Sequence, residues 1–177
     1  MKLNLGCGSN KIDGFINIDV NEAFKPDLVH DFVLSPLPYE AGSAEEIVLF
    51  HTIEHIEKWK HPNLLSEIRR VLRDNGLFFV SFPEFSCILQ NWLENKRGDR
   101  QFWEHTIYGR QSSKADYHVS AMDTDDFTEV LRTYGFKVLR AEREPLEDYN
   151  TIIKCMKAPA SIPYERVVYE DMVSILK

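Results

Sequence analysis

The strongest constraint on how this chain can fold lies at its very start. The apolar run Leu3-Asn4-Leu5 feeds Gly6-Cys7-Gly8-Ser9-Asn10, and a second apolar run, Phe15 to Ile18, closes on Asp19. The order reads as strand, glycine turn, strand, acid. Two glycines flanking one small residue let the backbone bend sharply at the carboxyl end of a strand and let a ligand approach the main chain closely. An acid at the tip of the next strand is placed to accept two hydrogen bonds from a ribose diol. Hydrogen bonds to a charged group contribute about 1.5–3 kcal/mol each, enough to select a nucleoside.

What is missing narrows the nucleoside. A dinucleotide fingerprint carries a third glycine three residues after the second, opening a long helix whose amino terminus holds a pyrophosphate; here that position is Lys11. Only ten residues separate Gly8 from Asp19, and Gly14 interrupts them, so a long helix has no room. A ligand with a ribose and no phosphate, such as S-adenosylmethionine, fits better than a dinucleotide.

The rest of the chain continues the alternation. Asp27 to Phe32 reads as a third short strand, followed by a loop marked by Pro36 and Pro38, and Glu45 to Phe50 as a fourth strand that ends directly before His51. Pro62 opens a helix with Leu64, Leu65, Ile68, Val71 and Leu72 on one face, which Asn75-Gly76 is expected to stop. Leu77 to Phe82 is a fifth strand. Residues 84–121 lose periodicity and mix aromatic with basic residues, so they read as an insertion covering the substrate side. Thr124 is the expected cap of a helix carrying Phe127, Val130, Leu131 and Tyr134, with Gly135 as its stop. Phe136–Leu139 and Tyr149–Met156 read as two further strands in a hairpin, and residues 158–177 as a helical tail whose apolar face offers a homodimer contact.

At 177 residues and 44% hydrophobic, the chain suits one compact α/β domain. Cys7, Cys87 and Cys155 lie far apart without metal-type spacing, which argues against a disulfide framework or a zinc cluster and for a reducing, cytoplasmic setting. No apolar run approaches the roughly 20 residues needed to span a bilayer. The net charge of -7 disfavours nucleic acid as a partner.

Taken in order, these elements resemble the class I S-adenosylmethionine-dependent methyltransferases, in the small type-11-like group. Asn4, Gly6 and Gly8 match the first motif of that family; Asp19, Asp31 after a third strand, His51-Thr52-Ile53-Glu54-His55 after a fourth and Arg70 to Gly76 before a fifth follow its series. The resemblance spans residues 1 to about 156 and implies a doubly wound, mainly parallel, seven-stranded Rossmann-like sheet with one antiparallel edge strand. It implies S-adenosylmethionine as cofactor and S-adenosylhomocysteine as product. It places Asn4, Gly6, Cys7 and Gly8 along the methionine part, Asp19 and Val20 at the ribose, Asp31 and Phe32 at the adenine, and His51 facing the cofactor. Cys7 by itself reads as a small packing residue, and Asp31 as a turn-forming aspartate.

Transfer of a methyl group from a sulfonium is a direct displacement, in which the protein aligns the partners and, for an oxygen or nitrogen acceptor, removes a proton. His118 and His51 are the candidate bases, with Asp116 as an orienting partner. His105, Tyr108 and Arg110 in the insertion are candidate acceptor contacts, with Trp92 and Trp103 available for stacking and Arg97 and Arg100 for charge. A surface or packed histidine is the alternative in each case. The strand-four position carries Leu49-Phe50-His51-Thr52 in place of the Asp/Asn-Pro-Pro-aromatic signature of nucleobase amino-group enzymes, so the expected acceptor is a small molecule or glycan precursor. A non-catalytic member of the fold that binds the cofactor or a partner is the second reading. A third comes from His51, Glu54 and His55, which match the His-x-x-Glu-His pattern of zinc hydrolases. That pattern belongs inside a long helix, whereas here it follows a strand and is soon interrupted by Pro62, so no metal is expected.

Overall fold

The computed structural model describes residues 1–94, 96, 100–144 and 149–158. Seven strands form one sheet: β1 (Lys2–Leu5), β2 (Ile16–Asp19), β3 (Leu28–Val29), β4 (Ala44–Phe50), β5 (Leu72–Pro83), β6 (Phe136–Arg143) and β7 (Asn150–Lys157). Their spatial order is β3-β2-β1-β4-β5-β7-β6. The first five run parallel, while β7 is antiparallel to both β5 and β6. The expected hairpin is present, and its antiparallel strand lies one place in from the β6 edge. The expected tail from residue 159 onward lies outside the described residues.

Strand–helix alternation does not run through the whole chain. No α-helix separates β1, β2, β3 and β4; helices begin with α1 (His61–Val71) and continue with α2 (Phe85–Leu93), α3 (Arg100–Tyr108) and α4 (Thr124–Thr133). Side-chain amides and one carboxylate hold the short first crossover instead. The Asn17 Oδ1 accepts from Ile12 N at 2.9 Å and from Asn4 Nδ2 at 2.9 Å, its Nδ2 donates to Asp27 Oδ2 at 2.9 Å, and Asn4 Nδ2 also donates to Asn10 O at 3.0 Å. These bonds satisfy backbone groups that a helix would satisfy internally.

The core lies on the sheet face that α1 and α4 cover: along β5, Phe78, Val80 and Phe82 are buried, while Leu77 and Phe79 on the other face are half-buried. Leu3, Leu5, Ile18, Ile47, Leu49, Phe78, Val80 and Phe82 are buried from the strands, against Leu64, Leu65 and Ile68 of α1 and Phe127 and Leu131 of α4. Three boundaries differ from expectation. The third strand contracts to Leu28–Val29, leaving Asp31 and Phe32 in the loop beyond it. The first helix ends at Val71, because Leu72 already pairs with Ala44 in the sheet, and Asn75-Gly76 forms an irregularity inside β5 instead of a helix stop. The cap of α4 is Asp123, not Thr124, whose hydroxyl donates to Glu84 Oε2 at 2.8 Å.

Residues 85–121 leave the sheet and return to the same place. Glu84 and Met122 form a parallel bridge, and Phe85 N donates to Met122 O at 3.1 Å. Within this excursion α2 and α3 pack on a small separate core of Ile88, Trp103 and Tyr149. Trp103 is therefore a packing residue, with 2% of its surface exposed, and is not a stacking platform for a ligand.

Candidate active site

The carboxyl ends of β1, β2 and β4 open into a cleft of about 610 Å³ lined by Gly6, Gly8, Asp19, Val20, Asp31 and Phe32 on one side and by His51, Thr52, His55 and Asp116 on the other. An adjoining hollow of about 490 Å³ runs along Asn4, Gly6, Cys7 and Gly8 to His51 and Glu144. A third groove, about 540 Å³, lies between α1 and α4 and is lined by none of these residues. Strand ends beside a glycine turn are where open α/β sheets bind ligands, which assigns the chemistry to the first two.

The turn is built by close approach. Gly6 (φ +68°) donates to Ile18 O at 2.9 Å, and a β-carbon on it would lie 2.4 Å from Thr52. Gly8 (φ +49°) has nothing within 4 Å of that position. Its amide donates to Asp19 Oδ2 at 2.8 Å, and Asn21 N donates to Oδ1 at 2.8 Å. Asp19 is buried yet lines the cleft. Each of its oxygens holds one amide and keeps a further lone pair to accept from a ribose hydroxyl.

The other cofactor-side residues divide by what they already hold. Asn4 spends its amide on Asn10 and Asn17, so it shapes the turn from beneath. Cys7 is buried, and burial pushes its thiol pKa up, as suits a packing residue. Asp31 Oδ1 caps its own loop, accepting from Val33 N and Leu34 N at 3.0 Å each, while the residue still borders the cleft. Phe32 is buried in the core beside it, and Val20 is exposed at the rim.

Across the cleft, His51 adopts a left-handed backbone (φ +46°) directly after β4 and donates its amide to Ser81 O at 3.1 Å. Its ring lies between two acids, with Nδ1 3.7 Å from Glu54 Oε1 and Nε2 3.2 Å from Glu144 Oε1. Burial pulls its pKa down, but the hydrogen bonds and charges of Glu144 and Glu54 outweigh that pull and raise it to about 10. His118 is different. Its Nδ1 faces Thr106 O at 2.9 Å, and burial draws its pKa below the ordinary value, more than the nearby Glu54 charge raises it.

His118 lines neither hollow; it packs against His55, which does line the cleft, because residues 117–120 are tied to the turn after β4. Val119 N and Ser120 N both donate to Glu54 O, at 2.8 and 3.1 Å, and His55 Nδ1 faces Tyr117 O at 3.0 Å. The His55 and His118 rings meet edge to face with centroids 4.8 Å apart. The histidine-glutamate pattern lies on a three-residue 3-10 turn, Ile53–His55, not on a long helix, so it does not form the helical pair of a zinc hydrolase. His105, Tyr108 and Arg110 are exposed and line neither hollow; Tyr108 enters only through its carbonyl, which accepts from His118 N at 3.1 Å. Two site residues escape sequence reasoning. Thr52 fills the space beside Gly6, and Glu144 reaches His51 from beyond β6, with no motif around it to signal either role.

Comparison with known proteins agrees with this geometry. A family model described as a methyltransferase domain matches residues 11–141. A probable S-adenosylmethionine-dependent methyltransferase from Mycolicibacterium smegmatis is 30% identical over 105 residues, 59% of this chain and 33% of that protein, so the chain spans about a third of its length. Among solved structures, a protein from Pyrococcus horikoshii superposes with a TM-score of 0.64 at 19% identity, covering 88% of this chain and 81% of that one. An S-adenosylmethionine-dependent methyltransferase from Archaeoglobus fulgidus gives 0.63 at 14% identity, covering 88% and 85%. With the sheet order, the glycine turn and the matched family in agreement, this chain belongs to the class I S-adenosylmethionine-dependent methyltransferases.

Proposed function

We propose that this chain transfers the methyl group of S-adenosylmethionine to an oxygen or nitrogen of a small molecule or glycan precursor. Asp19 carries the reading: a buried carboxylate, oriented by the amides of Gly8 and Asn21, that closes β2 at the mouth of the larger cleft. In this reading Asp19 accepts from the ribose, the Gly6–Gly8 turn lies under the methionine portion, and Val20, Asp31 and Phe32 border the adenine. The bound cofactor would supply an electrophilic methyl carbon in this cleft. There the chain contributes alignment and a route for the acceptor's proton.

The two histidines take different parts. His51, held protonated between Glu54 and Glu144, has no lone pair for the acceptor's proton and acts as a cationic donor on the cofactor side. His118, neutral because of burial, stands on the acceptor side with His55 and Glu54. Residues 84–121 form the acceptor-side cover. Calorimetric titration with S-adenosylmethionine and S-adenosylhomocysteine tests the assignment. Asp19→Ala is expected to weaken binding at least tenfold, about 1.4 kcal/mol, while His118→Ala keeps cofactor affinity and loses turnover. Unchanged affinity in Asp19→Ala would refute the ribose assignment.

A further inference from the structure

Three side chains at the turn after β4, of which His55 lines the cleft, have an arrangement that proton transfer alone does not require. One ligand atom each from Glu54, His55 and His118 lies within 4.8 Å of the others. Glu54 is 2% exposed, and its Oε2 has no hydrogen-bond partner among the described residues. Leaving a buried carboxylate oxygen unpaired is costly, and an orphan of this kind calls for an occupant.

The histidines are pre-set in a matching way. His55 Nδ1 faces Tyr117 O at 3.0 Å and His118 Nδ1 faces Thr106 O at 2.9 Å. A carbonyl only accepts, so both Nδ1 atoms carry the hydrogen, and in the neutral imidazole this leaves Nε2 as the atom that can ligate. Backbone carbonyls fixing the tautomer through the far nitrogen are the usual support of metal-bound histidine. The same segment is anchored at Glu54 itself, whose carbonyl accepts from Val119 N and Ser120 N. The cluster is thus held as a unit by groups outside it.

We propose that Glu54, His55 and His118 bind a divalent transition-metal cation of the zinc class. Two imidazoles and one carboxylate are a donor set that such ions favour, with coordination positions left open. Ligand atoms about 2.0–2.1 Å from zinc lie roughly 3.4 Å apart, so the widest separation closes by about 1.4 Å on binding, within reach of side-chain rotation. His51 is outside this set, being engaged by Glu144 on its other side.

For its chemistry, though not for its existence, the site rests on the methyltransferase reading. His55 lines the same cleft as Asp19, so an acceptor hydroxyl can take an open position on the ion. The ion stabilises the alkoxide form and the proton leaves to solvent. The oxygen then forms a bond to the methyl carbon as the carbon–sulfur bond breaks, and that electron pair stays on sulfur as a neutral thioether. The acceptor class follows as a hydroxylated molecule able to ligate a cation, such as a vicinal diol or a catechol-like or hydroxy-acid group.

The test uses tag-free full-length protein stripped with a chelator and titrated with cobalt(II), whose visible absorption reports coordination, and with zinc by calorimetry. One equivalent is expected to bind, with affinity falling at least tenfold in Glu54→Gln and in His118→Asn, each checked for folding by circular dichroism. Absence of saturable binding, or equal binding in both folded variants, would overturn the site. S-adenosylmethionine affinity measured on the same samples keeps the two readings apart. Cobalt binding without cofactor binding defeats the methyltransferase assignment and leaves the metal site standing; the reverse outcome does the opposite.

Discussion

At Gly6 and Gly8 the same residue type meets two different demands. Both hold positive φ, but only at Gly6 does a neighbour, Thr52, occupy the place of a side chain. An L-residue in the left-handed region costs roughly 1–2 kcal/mol, so both alanine variants are expected to lose stability, with Gly6→Ala losing more. Urea unfolding of the two checks the order. The double variant Gly6→Ala/Thr52→Ala should lose less than the sum of its singles, because the clash is shared. The pair was legible as a turn from the residues alone, as was Asp19 as the acid beyond it. The identity of the residue filling the Gly6 space was not, because Thr52 comes from a strand end 46 positions away. For the same reason the pentapeptide from His51 to His55 shows its donor types without showing that His118 is their neighbour and His51 is turned to Glu144.

Helix α1 shows how an element is fixed at its ends by what it packs on. Its first residue, His61, is buried, with Nε2 donating to Ile56 O at 2.9 Å and its ring edge-on to Phe127. Burial depresses the folded-state pKa below the ordinary 6.5, by more than the bonds to Ile56 and Ile53 raise it. The unfolded chain therefore binds more protons in the window just below pH 6.5, so this stability is present above that window and lost as pH falls through it. His51, raised to about 10, adds stability as pH falls toward 6.5, so the decline is expected below that point: urea midpoints from pH 6.5 to 5 should fall, with a shallower slope in His61→Gln, while His118, shifted the same way, keeps the slope from vanishing. The apolar stripe of α1 was readable from its spacing. Its end was not, since Asn75-Gly76 has the composition of a helix stop, but pairing of Leu72 with Ala44 draws the chain into β5 first. Tertiary pairing overrides local signal in the same way at Thr124, whose hydroxyl is taken by Glu84.

For the molecule as a whole, the sheet and the excursion over residues 85–121 keep separate cores. The large core joins the strands to α1 and α4, whereas Ile88, Trp103 and Tyr149 form their own cluster. Trp103→Ala is accordingly expected to raise amide exchange in α2 and α3 while β4 and β5 keep their protection, as read by hydrogen–deuterium exchange. Loss of protection in the central strands would mean that the two cores unfold together. The seven-stranded plan could be read from the order of the motifs, and the lack of a long first helix from the ten residues between Gly8 and Asp19, but not the network centred on Asn17 that takes its place, which has no periodic signal. Because Glu84 and Met122 are pinned side by side, the excursion begins and ends at one point of the scaffold. A loop with fixed ends changes length cheaply, at roughly 0.6 kcal/mol per doubling. This stretch can therefore be exchanged like a cassette while the strand register stays as it is.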